Sequence, residues 1–198
     1  MNWLILNWIE LCGAVLGLLY IFLEIKEKVW MWPVGIATSG FYIFVFFSAK
    51  FYADMSLQFY YVGVSIYGFY VWKYGGSKNN QKTELAITRI KLKLAIILTV
   101  ISIALTAISG YLLDTYTDSP VPYWDALTTV LSIIGTWMIA RKILEHWFVW
   151  IVNNAICVCL YHHKDLDLTK YLFLVYLTLA IIGLFEWQKS YKKNELVK

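Results

Sequence analysis

One face of a helix in the second half of the chain carries the residues best suited to binding a flat solute. Trp147, Trp150 and Asn154 are separated by three and then four residues, a spacing that places two indole rings and an amide on one side of a helix. Indoles stack on flat rings, and an amide both donates and accepts hydrogen bonds. The spacing therefore predicts a binding site for a small aromatic solute.

A second polar face occurs earlier in the chain. Gln58, Tyr61 and Ser65 repeat the spacing of three and then four residues, so two such faces are expected to enclose a polar cavity. At 1.5 Å per residue, Gln58 is expected about 4–5 Å from the N-terminal end of its predicted helix, and Asn154 about 13 Å from the C-terminal end of its predicted helix. Both of these helix ends face outward in the predicted topology. The predicted site is therefore elongated, or one of these residues belongs to a gate.

Aromatic residues make up 18% of the chain and include 10 Trp and 15 Tyr. Tyr42, Tyr61, Tyr67 and Tyr176 lie inside predicted helices, where they can line a cavity. The faces of such rings attract cations, so a flat organic cation is a suitable solute, although a neutral aromatic solute would also stack.

No catalytic, metal or cofactor site is predicted. His162 and His163 are adjacent and point to different faces of a helix, so they and the nearby Asp165 and Asp167 are expected to form a solvated turn. The apolar segments contain no clustered acids and no setting for an activated nucleophile. Each acid inside an apolar segment lies near a predicted helix end, where its carboxylate is expected to reach water by snorkelling or to pair with a lysine. These acids are Glu10, Glu24, Asp125 and Glu186.

The composition indicates which elements position these residues. Hydrophobic residues account for 60% of the 198 residues and charged residues for only 15%, which is typical of a membrane protein. About 20 apolar residues are needed for each spanning helix, so we predict an all-α transmembrane protein with seven helices, at 3–25, 30–49, 55–73, 94–113, 122–140, 147–163 and 171–188.

Basic residues lie mainly on one side of this predicted topology. Of the 17 Lys and Arg residues, 14 fall on the side that contains the linker at 75–93, and three fall on the other. Because cytoplasmic loops are enriched in Lys and Arg, we expect a bacterial inner-membrane protein with its N-terminus outside and its C-terminus in the cytoplasm. The Gly/Asn-rich linker is expected to be flexible.

The two halves of the chain resemble each other. The segment from Glu27 to Trp32 matches the segment from Glu145 to Trp150, and the segments that end in Trp72 and Trp187 also match if one loop differs by three residues. We therefore predict two parallel three-helix repeats, at 1–74 and 114–198, joined by the linker at 75–93 and an inverter helix at 94–113.

The sequence resembles the PnuC family of vitamin transporters over nearly its whole length. The resemblance rests on Trp32 to Ile36, Tyr52 to Asp54 with Gln58, Leu131 to Gly135, Ala140 to Lys142, and the Trp147, Trp150 and Asn154 motif. It implies a SWEET-like fold of three, one and three helices and a homotrimer. It also implies facilitated uptake of a vitamin that a cytoplasmic kinase traps by phosphorylation.

This resemblance adds Trp32, Thr136 and Asn153 to the candidate substrate-binding residues. The family includes carriers of nicotinamide riboside and of thiamine, both of which contain a positively charged aromatic ring. Riboside carriers usually have Gln where this chain has Thr136, so thiamine is the preferred expectation and nicotinamide riboside the alternative. A subunit of a membrane complex that transports nothing itself remains as an interpretation from another class.

The predicted topology can be tested by labelling. In a variant without Cys12, Cys157 and Cys159, a cysteine introduced at Asn79 should react only with reagents on the cytoplasmic side. A cysteine at Asp167 should react only from outside. The reverse pattern would contradict the orientation inferred from the basic residues.

Overall fold

The structure, a computed structural model, describes the backbone of residues 2–49, 52–78, 81–163 and 167–196. Side chains are described for most of these residues, although not for 2–11, 77–78, 81–83 or the residues next to the other gaps. The elements are α1 (Asn2–Ile25), α2 (Met31–Ala49), α3 (Tyr52–Tyr74), β1 (Gly76–Lys78), β2 (Gln81–Thr83), α4 (Leu92–Tyr116), α5 (Pro122–Ala140), α6 (His146–His163) and α7 (Asp167–Leu196).

The seven predicted helices are confirmed, and most of their ends lie within three residues of the predicted ones. The largest difference is at α7, which continues to Leu196 because Lys, Gln and Glu after the apolar run also favour helix. By length and composition, two helices among the described residues are long and apolar enough to cross a bilayer, at Leu92–Tyr116 and Thr169–Asn194.

The linker after α3 is more ordered than predicted. Its first part forms an antiparallel hairpin in which Gly76 pairs with Thr83 and Lys78 pairs with Gln81. Asn79, the proposed labelling position, lies outside the described residues. The linker therefore contains a short hairpin that the sequence did not predict.

The second part of the linker is a strap, residues 87–91, that is bound to the turn between α5 and α6. Thr88 donates its backbone N–H to the carbonyl of Lys142 and accepts from the N–H of Leu144, each at 2.9 Å. A carboxylate oxygen of Glu145 accepts from the N–H of Ile90 at 2.8 Å, and Arg89 lies 3.5 Å from the same carboxylate. The turn exposes backbone groups that need partners, and the strap supplies them.

The chain divides into two compact units, residues Met1–Ala86 and Ile87–Lys198. In the first unit, α1 packs on α2 and α2 packs on α3. Trp32 is completely buried, with its ring perpendicular to that of Trp72 at 5.6 Å between centroids. A methyl group at Gly68 would overlap the Trp32 indole. Glycine is therefore required for α2 and α3 to approach this closely.

In the second unit, α4 packs on α5, α5 on α6, and α6 on α7. Trp147 is buried against Trp187 with centroids 5.8 Å apart and rings nearly perpendicular, and a methyl group at Gly183 would overlap the Trp147 indole. By contrast, only Gly110 is buried on α4, so this apolar helix presents most of its surface outside the unit. A helix that is apolar on all sides suits contact with lipid.

The two units repeat the same local structure at a constant spacing. Adding 115 to the numbers of Trp32, Gly68 and Trp72 gives Trp147, Gly183 and Trp187. The same shift relates the turns before α2 and α6, where Glu27 and Lys142 adopt left-handed φ values of 53° and 52°. Three backbone hydrogen bonds, each from an N–H to a carbonyl, also correspond between the two turns. Glu27 donates to Glu24 as Lys142 donates to Ile139, and Lys28 donates to Leu23 as Ile143 donates to Met138. Met31 likewise donates to Lys28 as His146 donates to Ile143.

This spacing corrects the register of the repeat that the sequence suggested. The comparison of Glu27 with Glu145 aligned Trp32 with Trp150 and needed a loop difference of three residues. In the structure Trp147 makes the contacts that correspond to those of Trp32, so no loop difference is needed. Trp-rich segments give several similar alignments, and only the helix contacts distinguish them.

The glycine contact can be tested by adding one methyl group. Gly183→Ala should lower the free energy of unfolding in detergent by about 1–3 kcal/mol, because the Trp147 indole must move. Gly63→Ala is the matched control, since a methyl group at Gly63 would meet no atom within 4 Å. It should be neutral or stabilise by up to about 1 kcal/mol. Equal stability of the two variants would contradict this account.

Candidate substrate-binding site

Trp147, the first residue of the predicted binding motif, lies in the packed interior of the second unit. It is 1% exposed, and its ring contacts His146 at 4.6 Å between centroids as well as Trp187. Trp32 has the same position in the first unit and is also buried. Both indoles therefore hold helices together. A Trp that anchors a helix at the membrane interface would be partly exposed, and the burial of Trp147 does not fit that role.

Trp150 occupies a different position, one turn further along α6. It is half-buried and lies against Gly135 of α5, where an added Cβ would be 3.2 Å from the indole. Gly135 therefore provides the space in which this ring sits. A large aromatic face that remains partly accessible can stack on a flat solute.

Asn153 and Asn154 follow on α6 and are 3% and 4% exposed. Asn153 donates from Nδ2 to the hydroxyl of Ser132 on α5 at 3.2 Å. Ser132 donates to the carbonyl of Thr128 at 2.8 Å. Two adjacent amides thus lie in the interior of a unit whose other buried side chains are mainly apolar, which is costly unless the amides are used.

Thr136 lies one turn beyond Ser132 on α5 and is 7% exposed. Its hydroxyl donates to the Ser132 carbonyl at 2.7 Å. The hydrogen atoms of both hydroxyls are therefore used within α5, and each oxygen retains acceptor capacity. Together, Trp150, Asn153 and Ser132 form a connected contact between α5 and α6, with Thr136 next to it along α5.

Tyr176 is half-buried on α7 within a group of aromatic rings. Its ring meets that of Phe173 at 5.6 Å between centroids, and Phe173 meets Tyr161 of α6 at 5.0 Å. These rings join α6 to α7.

Three candidates other than Trp32 lie in the first unit. Tyr42 stacks on Phe46 at 5.7 Å, and an added methyl group at Gly13 would overlap its hydroxyl. Gln58 and Tyr61 are half-buried on α3. Because α3 begins at Tyr52, Gln58 lies about 9 Å from its start, deeper than the 4–5 Å expected from the sequence.

The matched family model describes a nicotinamide mononucleotide transporter and covers residues 7–189. The chain belongs to this family. A nicotinamide riboside transporter, PnuC of Escherichia coli, is 24% identical, with 96% of this chain and 88% of the relative covered. PnuC of Neisseria mucosa is 26% identical over 95% and 74%. The riboflavin/roseoflavin transporter RibM of Streptomyces davaonensis is 24% identical over 91% and 84%.

The fold of this chain is similar to that in a crystal structure of the vitamin B3 transporter PnuC. The TM-score is 0.72 at 23% identity, with 94% of this chain and 83% of that chain covered. The predicted membrane transport function and the family resemblance are therefore confirmed. The preference for thiamine, which rested on Thr136, receives no support from these relatives.

Two further residues, Tyr20 and Ser132, lie at contacts between neighbouring helices. Tyr20 of α1 lies against Gly35 of α2, where an added Cβ would be 3.1 Å from the ring. The equivalent positions in the second unit, 115 residues later, are Gly135 of α5 and Trp150 of α6. The ring therefore comes from the first of the two helices in one unit and from the second of them in the other. The other missed residue is Ser132, which is visible as a residue three positions before Gly135.

The acids are arranged partly as expected. Glu186 pairs with Lys189 at 2.9 Å, and Asp125 accepts from the Ser119 hydroxyl at 2.7 Å. Glu24 is only 3% exposed, so it does not snorkel to the surface. The side chain of Glu10 lies outside the described residues, as does that of Asp165. Within the described part of the chain, no three His, Cys, Asp or Glu residues are grouped to hold a metal.

The different roles of the two Trp residues on α6 can be separated by stability. Trp147→Ala should lower the free energy of unfolding by about 3–5 kcal/mol, because a fully packed ring is lost. Trp150→Ala should cost clearly less, since its ring is partly accessible. Trp124→Ala, at a residue 51% exposed on α5, should change it by no more than about 0.5 kcal/mol. Equal losses for Trp147 and Trp150 would contradict this distinction.

Proposed function

We propose that this protein carries nicotinamide riboside into the cell by facilitated diffusion. The observation that carries the proposal is the family match over residues 7–189, together with nicotinamide riboside transporters that match at least 95% of the chain. The contact between α5 and α6 supports the proposal chemically, because it combines a partly accessible indole with two buried amides.

The substrate has properties that suit this wall. Its pyridinium ring is flat and carries a positive charge, so it can stack on the indole of Trp150 with a cation–π contribution of up to about 2 kcal/mol when water is excluded. Asn153 and Asn154 can form hydrogen bonds with its polar substituents, and Thr136 provides an acceptor oxygen. Tyr176 of α7 is a further proposed contact in the same unit, and Tyr42, Gln58 and Tyr61 are proposed contacts of the first unit.

We propose that α1–α3 and α5–α7 form two parallel bundles, with α4 as the inverter between them. The matching turns and the matching Trp–Gly–Trp contacts at a spacing of 115 residues support this arrangement. Each proposed repeat has three helices, so it begins and ends on opposite sides of the membrane. One additional crossing, by α4, is therefore needed if the two repeats are to have the same orientation. The N-terminus is proposed to lie outside and the C-terminus in the cytoplasm, consistent with the distribution of basic residues.

Transport of a cation down the membrane potential needs no coupled ion. An inside-negative potential contributes about 2.3 kcal/mol per charge for each 100 mV, which corresponds to roughly 50-fold accumulation. Phosphorylation by a cytoplasmic kinase would then prevent the product from leaving.

Reconstitution in liposomes tests this proposal. With a potassium-diffusion potential and no proton or sodium gradient, labelled nicotinamide riboside should accumulate and follow the voltage. Thiamine and riboflavin should be taken up poorly in parallel vesicles. A requirement for a proton gradient would contradict uniport and would implicate the buried Glu24. Absence of riboside uptake would reject the proposed substrate.

Variants connect the transport to the α6 wall. Trp150→Ala and Asn154→Ala should each weaken riboside binding by about 1–3 kcal/mol, because each removes a stacking or hydrogen-bonding partner in a desolvated site. Trp124→Ala is the control and should bind normally. Normal binding by both α6 variants, in protein that remains monodisperse, would show that these residues do not contact the substrate.

A further inference from the structure

Asn153 has one hydrogen-bonding atom without a partner. Its Nδ2 group donates to Ser132, but its Oδ1 atom is buried and has no hydrogen-bond partner among the described residues. Leaving a buried acceptor unpaired is energetically costly. A ligand that donates a hydrogen bond to Oδ1 would remove this cost.

The neighbouring hydroxyl determines which end of the amide faces Ser132. Ser132 uses its hydrogen to donate to the Thr128 carbonyl at 2.8 Å. Its oxygen can therefore only accept from the amide of Asn153, which requires Nδ2 to face Ser132. With the amide reversed, two oxygen atoms would meet without a hydrogen between them. Ser132 thus directs Oδ1 away from α5.

The N–H of Trp150, one turn earlier on the same helix, is also buried and lacks a partner within the described ranges. Its Nε1 atom, however, lies against Gly135 of α5, 3.3 Å from the position of an added Cβ, whereas Oδ1 of Asn153 is directed away from α5. The unpaired acceptor of Asn153 is therefore the group that a ligand can satisfy, and the NH₂ of a primary carboxamide is a donor of the required kind.

Comparison of the two units separates packing from binding. The Nε1 atoms of Trp32 and Trp147, like that of Trp150, are buried without a partner in the described part of the chain, and each of these rings lies against a glycine, so this feature belongs to the packing. Asn153 corresponds to Thr38, whose hydroxyl donates to Val34 in its own helix at 2.8 Å. Ser132 and Trp150 correspond to Gly17 and Gly35. The same three-helix packing therefore forms without the Ser132 and Asn153 pair.

We infer that Asn153, held by Ser132, is a specificity-determining residue that accepts a hydrogen bond from the carboxamide NH₂ of the substrate. This inference rests on the proposed function, because it assigns a role to one group of nicotinamide riboside. It predicts discrimination against rings of equal size and charge that lack the N–H donor.

The test compares nicotinamide riboside with 3-acetylpyridine riboside, which keeps the pyridinium charge and the carbonyl but replaces NH₂ with methyl. Binding to the purified protein should favour the amide by about tenfold or more, since a site built to pair a donor rejects analogues without it. Asn153→Leu should reduce this preference to about twofold or less, mainly by weakening binding of the amide. Ser132→Ala should reduce it partly, because the amide of Asn153 is then free to turn.

Ser102→Ala is the matched control for Ser132→Ala. Ser102 lies on α4, and its hydroxyl donates to the Leu98 carbonyl at 2.8 Å, so this variant loses the same intrahelical bond and should keep the wild-type preference. Asn153→Thr, which introduces the residue found at the equivalent position of the first unit, provides a second variant if Asn153→Leu does not fold. It should also lose the preference.

The outcomes separate this inference from the proposed function. If wild-type protein binds nicotinamide riboside but binds the acetyl analogue equally well, the inference is overturned and the proposed function stands. Retention of the full preference by the Asn153 variants would also overturn it. If wild-type protein binds neither riboside, the proposed function fails, and the assignment of the carboxamide fails with it.

Discussion

The close approach of an indole to a glycine holds each unit together. Trp32 lies over Gly68 and against Trp72, and Trp147 lies over Gly183 and against Trp187. In lipid, helices gain little from the hydrophobic effect when they associate, so packing of large rings on small residues supplies much of the contact. This contact fixes α2 against α3 and α6 against α7. The orientation of α6, and hence of its polar residues, follows from it.

The sequence predicted the helices well because each apolar run is long enough to be recognised by itself. It also predicted the polar face of α6, since the spacing of Trp150 and Asn154 is local. The register of the repeat was missed because Trp147 and Trp150 are equally plausible partners for Trp32 until helix contacts are known. The hydrogen bonds that Thr88 forms with the turn after α5 were not predicted, because segments that are distant in the sequence leave no periodic pattern when they pair at a single residue. The burial of Glu24 also depends on contacts that its neighbours in sequence do not reveal.

The helix crossing shared by both units shows how one packing arrangement accommodates two chemistries. In the first unit Tyr20 of α1 fills the space at Gly35, whereas in the second unit Trp150 of α6 fills the space at Gly135. One ring and one glycine are present in each case, so the helices can remain at similar separations. The exchange moves the aromatic ring onto the helix that also carries Asn153 and Asn154. It therefore places stacking and hydrogen-bonding groups on one face of one helix.

The strap has a consequence for how the chain enters the bilayer. Thr88 precedes α4, and its hydrogen bonds reach Lys142 and Leu144 after α5, so both ends of this helix pair must be on the same side. The two ends are on the same side of the bilayer if both α4 and α5 cross it, and on opposite sides if only one of them crosses. Since Thr88 can form these bonds only after α5 has been synthesised, the strap closes late and then locks α4 and α5 as an inserted helical hairpin. An arrangement in which one of the two failed to insert would leave the backbone groups of that turn without the strap.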